Sequence, residues 1–213
     1  MNTDELVDFL ATGAQSAERG SHAYHRLAGL AAGCVAALLL TAGVLGLHPR
    51  LLQEALLPMF WVREAFCVAL GVAALACVAR LVRPGAGLGL LPAALAAPVL
   101  VMWLLAAASL IVAAPQQRAD LIFGQTANVC SILIALVSLP LFFAVIWAMR
   151  GYAPTQLRLA GAAGGFAAGA LGALAYSLHC PELAAPFLGI WYVLGMLIPT
   201  VVGAAIGPRL LDW

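Results

Sequence analysis

Six apolar runs, each close to the ~20 residues that a helix needs to cross a bilayer, dominate this chain. Charged residues, prolines and glycines separate the runs, which are Leu27–Leu47, Leu57–Ala79, Leu88–Ala114, Val129–Met149, Leu157–Leu178 and Pro186–Ile206. Charged residues make up only 9% of the sequence and hydrophobic residues 64%, which leaves too little polar surface to face water. We therefore predict an all-α polytopic membrane protein with six transmembrane helices, and not a soluble enzyme.

The chain divides into two parts at the start of the first run. Residues 1–26 are polar and carry Asp4, Glu5, Asp8 and Glu18, whereas a cleaved signal peptide begins with a basic segment. We expect residues 1–26 to remain attached as a cytoplasmic tail. Residues 27–213 form the predicted membrane domain, because no loop between the runs is long enough to fold by itself.

Arginine supplies all ten basic side chains, and its distribution predicts the orientation of the protein. Short cytoplasmic loops carry the excess of positive charge in membrane proteins. With the N-terminus in the cytoplasm, three arginines lie outside and seven inside, and the seven are Arg19, Arg26, Arg80, Arg83, Arg150, Arg158 and Arg209. Both termini are therefore expected in the cytoplasm.

Residues 2–10 have the pattern of a short amphipathic helix. Asp4 and Glu5 fall in the first turn, where acidic groups interact favourably with the helix dipole, and Leu6, Phe9 and Leu10 share one face. So short a helix is marginal in water, and we interpret these five residues as a partner-binding set that a partner would order. The alternatives are a solvated leader and a helix on the membrane surface, which acidic side chains disfavour because the inner leaflet is anionic.

Two cysteines fall at the same depth on the predicted outer side. Cys130 lies near the start of the fourth run, and Cys180 follows the fifth run, next to His179 and two residues before Glu182. In an oxidising periplasm the thiols could close a disulfide loop worth about 4 kcal/mol of chain entropy. Reduced thiols could instead bind a soft metal ion, such as zinc or cadmium, with His179, Glu182 or His48. Simple packing is the third interpretation.

Five other cysteine or charged residues lie in the apolar runs, and we assign structural roles to them. Cys34, Cys67 and Cys77 form no C-x-x-C pair, and we assign them to packing. Arg63 and Glu64 are adjacent near the outer end of the second run. We expect them to reach the membrane interface with their long side chains or to form an ion pair, and not to form a transport site.

Glycines recur at four-residue intervals in the last two runs. The positions are Gly161, Gly165 and Gly169, with Gly172 close by, in the fifth run and Gly195, Gly203 and Gly207 in the sixth. Faces of small residues let helix backbones approach closely in a bilayer. We expect the fifth and sixth helices to pack against each other, and a homodimer through this face is the alternative.

Several short blocks of the sequence resemble one family of bacterial membrane proteins. The specific blocks are H-C-P-E at 179–182 and W-Y-V-L-G-M at 191–196, and weaker ones lie at 3–7, 80–85, 138–141, 150–155 and 207–213. Over nearly its whole length the chain resembles the negative regulator of sigma F family of membrane anti-sigma factors.

The resemblance implies a six-span protein of the bacterial inner membrane. Such a protein would hold an extracytoplasmic-function sigma factor through residues 1–26, without touching nucleic acid itself, and release it on heavy-metal or oxidative stress. The paired cysteines of the family fall on Cys130 and Cys180, with His179 and Glu182 beside them as sensor residues. The alternative class is a small transporter or a thiol-handling membrane protein. A transporter needs ionisable groups deep in the spans, and a thiol-handling enzyme needs a C-x-x-C pair or a quinone site.

Overall fold

The computed structural model describes residues 15–83, 85, 87–152 and 154–212, with side chains described from residue 24 onward. All regular elements in these residues are helical, and six helical segments are long and apolar enough to cross a membrane. We call them spans 1 to 6, and they are Tyr24–Leu45, Pro58–Leu81, Leu91–Val112, Pro115–Arg150, Leu157–Tyr176 and Ala185–Leu210. The predicted all-α class with six transmembrane helices is therefore confirmed.

Two spans contain a wide, π-helical turn. The α-helix of span 1 extends over Gln15–Leu40 and continues as the π-helical turn Thr41–Leu45. In span 6 the short helix Ala185–Phe187 passes through the π-helical turn Leu188–Tyr192 into the helix Val193–Leu210. Both turns lie at the same end of the bundle, and such turns frequently mark functional positions. The predicted amphipathic helix at residues 2–10, with its partner-binding set, lies outside the described residues.

Span 4 departs most from the sequence prediction, which began it at Val129. It starts earlier and consists of a 3₁₀ turn and three helices, Pro115–Gln117, Arg118–Phe123, Ala127–Val137 and Leu139–Arg150. Gly124 interrupts the run with a φ of 50°, a conformation that suits glycine. The sequence prediction began this span too late because the residues before Val129 include polar ones. A further short helix, Leu51–Glu54, lies between spans 1 and 2.

Span 5 is the centre of the bundle. It packs most extensively against span 6 and also contacts spans 2 and 4. It is the most buried of the six spans, and most of its small residues are enclosed. Span 1 packs along span 4, while span 3 lies at the periphery against span 2 and the start of span 6.

Spans 5 and 6 meet backbone to backbone. A methyl group at Gly161 would collide with the carbonyl of Gly203, and one at Gly165 would collide with the carbonyl of Pro199. The predicted packing of the fifth and sixth helices is therefore confirmed. Gly195 serves a different contact, because it faces span 4.

We expect Gly165→Ala to destabilise the bundle by about 1–3 kcal/mol, because the added methyl group has no room against the Pro199 carbonyl. Gly43→Ala is the matched control, since a methyl group there meets nothing within 4 Å. Thermal unfolding of the purified protein in detergent, followed by circular dichroism, compares the two. A midpoint for Gly165→Ala no lower than that of Gly43→Ala would show that this backbone contact is not needed for stability.

Candidate functional site

The structure brings Cys130 and Cys180 together in one buried cluster. Cys130 lies one turn into the helix Ala127–Val137 of span 4, and Cys180 lies in segment 177–184, which joins spans 5 and 6. Both are free thiols and neither has exposed surface. Two residues that are distant in sequence therefore form one buried site, at the end of the bundle that carries the π-helical turns.

Segment 177–184 leaves span 5 through a tight turn. The N–H groups of His179 and Cys180 donate to the carbonyl of Tyr176 at 2.9 and 3.2 Å. Pro181 follows, and a proline both lacks an N–H and disfavours a helical conformation in the residue before it. The helix therefore ends here, and Cys180 turns back into the bundle, where it is fully buried.

Two tyrosines enclose the thiols. Tyr176 lies beside both sulfurs, and Tyr192, on the π-helical turn of span 6, lies beside the Cys180 sulfur. The centroids of the two rings are 6.2 Å apart and both rings are buried. The Tyr192 hydroxyl is enclosed and, within the described part of the chain, has no partner at full hydrogen-bonding geometry. A buried polar group without a hydrogen bond lowers the stability of a fold by on the order of 1–3 kcal/mol, so stability alone does not explain this arrangement.

A buried arginine ties segment 177–184 to span 2. Arg63 has no exposed surface, and its Nη1 donates to the carbonyls of Cys180 and Glu182 at 2.9 and 3.3 Å. Its Nε donates to the Glu64 carboxylate at 3.2 Å. The predicted ion pair of Arg63 and Glu64 is therefore confirmed. The guanidinium does not extend into solvent, because it is directed to these carbonyls.

The guanidinium of Arg63 is only partly satisfied. Its Nη2 is buried and has no hydrogen-bond partner among the described residues, and the charge lies 5.0 Å from the centroid of the Phe60 ring. Glu64 accepts a hydrogen bond from the Ser177 hydroxyl at 3.0 Å, which ties span 2 to the end of span 5. A buried cation of this kind is a source of positive potential beside the thiols.

The surroundings of Cys180 favour its thiolate. The hydrogen bond from the Cys130 thiol is the largest influence, and a hydrogen bond from the backbone of Glu182 and the charge of Arg63 act in the same direction. Burial opposes them, and the net effect lowers the pKa of Cys180 from 9.0 to about 6. The lowered pKa favours the thiolate of Cys180, which is the form of cysteine that reacts with oxidants and soft metals.

The two other predicted sensor residues lie next to the pair and have partners of their own. His179 holds its Nδ1 2.8 Å from the carbonyl of Gly46, and because a carbonyl only accepts, Nδ1 carries the proton. Glu182 accepts a hydrogen bond from the N–H of Gln125 at 2.7 Å. Segment 177–184 is thereby fixed to the ends of span 1 and span 4 as well as to span 2.

The next question is whether the predicted metal ligands Cys130, Cys180 and His179 are placed to hold one ion. In the part of the chain that the structure describes, no three His, Cys, Asp or Glu side chains are placed to hold one ion. His48 pairs with Glu54 at 3.0 Å instead of facing the thiols. The donor set in place is the two sulfurs, which suits a soft ion better than a tetrahedral zinc site. A metal would bind through the two thiols, and His179 could add only its Nε2, because its Nδ1 is held by the carbonyl of Gly46.

Four members of the cluster were not assigned to this site by sequence reasoning. They are Arg63, Tyr176, Tyr192 and Cys67, and Cys67 is fully buried in the same hydrophobic cluster as the thiol pair. A signal for Arg63 was available, because it lies within span 2 and an ionisable residue inside a span marks a functional site by default. Tyr176 and Cys67 gave no such signal, since a lone aromatic residue or cysteine in an apolar run is ordinary packing.

The fold and this site define a class of protein, a six-span α-helical membrane protein with a buried thiol pair at one end of its bundle. The chain belongs to the negative regulator of sigma F family, whose sequence profile matches residues 10–213. The resemblance found in the sequence blocks is therefore confirmed.

Two relatives are similar over all of both chains. The probable anti-sigma-F factor NrsF of Azospira oryzae is 47% identical over 213 residues, covering 100% of each chain. The anti-sigma-F factor NrsF of Caulobacter vibrioides is 40% identical over 218 residues, again covering 100% of each chain. No solved structure gives a significant match. Both relatives are named as regulators of a sigma factor, and not as transporters or enzymes.

We expect the Cys180 thiolate to form with a midpoint near pH 6 instead of 9.0. The ultraviolet absorbance of thiolates, taken as the difference between the protein and its Cys180→Ser variant, measures this midpoint. Since the unfolded thiol keeps its proton up to about 9.0, stability should rise with pH between 6 and 9 and be lost as pH falls through 6.

Cys130→Ala provides the control for this titration. It removes the principal hydrogen bond to the Cys180 sulfur and should raise the midpoint toward the ordinary value. A midpoint near 9.0 in the unsubstituted protein would contradict the description of the site.

Proposed function

We propose that this protein is an anti-sigma factor that holds an extracytoplasmic-function sigma factor at the bacterial inner membrane. The observation that carries the proposal is the similarity, over all of both chains, to relatives named as anti-sigma-F factors. The arginine distribution supports an orientation with both termini in the cytoplasm, where a sigma factor is found. An even number of spans agrees with such an orientation.

The proposed attachment site for the sigma factor is the tail of residues 1–26. Leu6, Phe9 and Leu10 supply an apolar face, with Asp4 and Glu5 close to it. In the proposed orientation the other cytoplasmic segments between spans are short connections, so the tail is the longest cytoplasmic segment on which a partner could bind.

The proposed signal is a chemical change at the Cys130–Cys180 pair. A peroxide would oxidise the Cys180 thiolate to a sulfenic acid with loss of hydroxide, and the Cys130 thiol would then displace water to give a disulfide. A soft divalent metal would instead bind both sulfurs as thiolates and release the proton of Cys130, with no electron transferred. Because neither sulfur is exposed, the inducer must be small.

Either change alters the forces on segment 177–184. Arg63 of span 2 holds the carbonyls of Cys180 and Glu182, and Cys130 belongs to span 4. A new bond between the sulfurs, or from both to a metal, therefore acts on spans 2, 4, 5 and 6 together. The inducer shifts the protein only as far as it favours one packing over the other. A difference of ~1–3 kcal/mol would change the affinity for the sigma factor by roughly 5–150-fold.

Replacing Leu6, Phe9 and Leu10 together with Ala should release the sigma factor, because the apolar face of the tail is lost. Membrane fractionation followed by immunoblotting of the sigma factor measures its retention. The matched control changes three polar residues of the tail to Ala, namely Asn2, Thr3 and Gln15. Unchanged retention by the apolar triple variant would move the binding site to the loops between spans.

Cys130→Ser and Cys180→Ser should each abolish release of the sigma factor by cadmium or hydrogen peroxide. The double variant should behave like either single one, because one shared site is lost once. A sigma-dependent reporter, together with fractionation before and after the inducer, measures release.

Cys77→Ser is the matched control for these variants, since Cys77 is a buried thiol of span 2 outside the cluster. Normal induction in both single variants would identify Cys130 and Cys180 as packing residues. His179→Ala separates the two inducers, because loss of the cadmium response alone would add the imidazole to a metal site.

A further inference from the structure

A cavity of about 390 Å³ lies at the opposite end of the bundle from the thiols. It opens between spans 1, 2 and 4, where span 1 packs along span 4 and makes little contact with span 2. Arg26, Arg83 and Tyr152 line its mouth. Its apolar walls are formed by Leu30, Leu75, Val78, Val82, Val145 and Met149.

The cavity is charged at one end and apolar along its depth. Arg26 and Arg83 lie where their spans begin and end, while the wall reaches inward to Leu75, about 9 Å from the end of span 2 at 1.5 Å per residue. None of the described residues that line it is Asp or Glu. A ligand that matches this lining has a negatively charged head and an apolar body.

Arg26 is held in place at the mouth. Its guanidinium lies 4.0 Å from the centroid of the Tyr152 ring, and its Nη2 donates to the carbonyl of Gly151 at 3.5 Å. A second cavity, of about 500 Å³, is also lined by Arg26, together with Arg150. Arg26, Arg83 and Arg150 therefore all lie at this end of the bundle with Tyr152, and tyrosine is a residue type that is enriched at membrane interfaces.

We propose that this cavity binds an anionic phospholipid, with the phosphate between Arg26 and Arg83 and part of one acyl chain against the apolar walls. Guanidinium groups match phosphate oxygens in geometry, and basic pockets between transmembrane helices bind anionic head groups. The volume falls in the range of small-ligand sites. A zwitterionic lipid would bring an extra cation to a site that already holds two. The site shares no residue with the thiol pair or with the proposed partner-binding set of Asp4, Glu5, Leu6, Phe9 and Leu10.

Native mass spectrometry of the full-length protein in detergent tests the site. Dioleoylphosphatidylglycerol and dioleoylphosphatidylcholine have the same acyl chains and differ in head-group charge, and each is titrated onto delipidated protein. We expect the anionic lipid to bind at least ~10-fold more tightly, and R26Q/R83Q to lose that preference. The matched control is R80Q/R158Q, which removes the same charge from two exposed arginines outside the cavity.

A second variant tests the apolar part of the cavity without changing its charge. Ala148 is a partly exposed wall residue, so Ala148→Trp fills the space and leaves both arginines intact. This variant should also weaken binding of phosphatidylglycerol by ~10-fold or more. Retained binding would show that the lipid is held by the head group at the surface and would overturn the proposed site.

Two further outcomes would overturn the proposal. Equal loss in R26Q/R83Q and R80Q/R158Q would assign the preference to overall charge, and equal affinity of the unsubstituted protein for both lipids would remove the preference itself. The competing occupant is the acidic tail of this chain, with Asp4, Glu5 and Asp8. If phosphatidylglycerol bound only after deletion of residues 2–14, the tail would be identified as the occupant of the cavity.

Discussion

In a bilayer, helices gain little by hiding apolar side chains from lipid, so the bundle depends on how closely two backbones can approach. Spans 5 and 6 meet at Gly161 and Gly203, where neither position has room for a methyl group. This contact leaves the other faces of span 5 to spans 2 and 4 and makes it the centre of the fold. Cys130 and Arg63 reach the segment between spans 5 and 6 because their spans are arranged around that centre.

The cluster around the thiols opposes stability. Arg63 is completely enclosed, and one of its nitrogens and the Tyr192 hydroxyl have no hydrogen-bond partner among the described residues. Unpaired buried groups cost on the order of 1–3 kcal/mol each, so apolar side chains of similar volume would give a firmer bundle. What the arrangement provides is a thiolate at Cys180 and a direct link from its carbonyl to span 2. Those are the properties that the proposed sensor role requires.

The two ends of the bundle have different chemistry, and span 4 reaches both. Cys130 lies in its first long helix, and Met149 lines the cavity near the end of its last helix. Between them the helix is interrupted at Ser138, whose Cα and Cβ lie close to Gly172 of span 5. Helices bend at such interruptions, so the two halves of span 4 can differ in tilt while span 5 holds the break in place.

The sequence by itself determined the six spans, because the length and hydropathy of an apolar run are local properties. It also placed Cys130 and Cys180 at one depth, and the four-residue spacing of the glycines predicted which helices pack together. It did not determine that Arg63 points inward, because span 2 is apolar on almost every face and periodicity then cannot tell a buried face from a lipid-facing one. Nor did it predict that His179 would bind the carbonyl of Gly46, a residue distant in sequence. Only the tertiary structure decided these points, since burial inside a membrane bundle is set by the neighbouring helices and not by a contrast between polar and apolar faces.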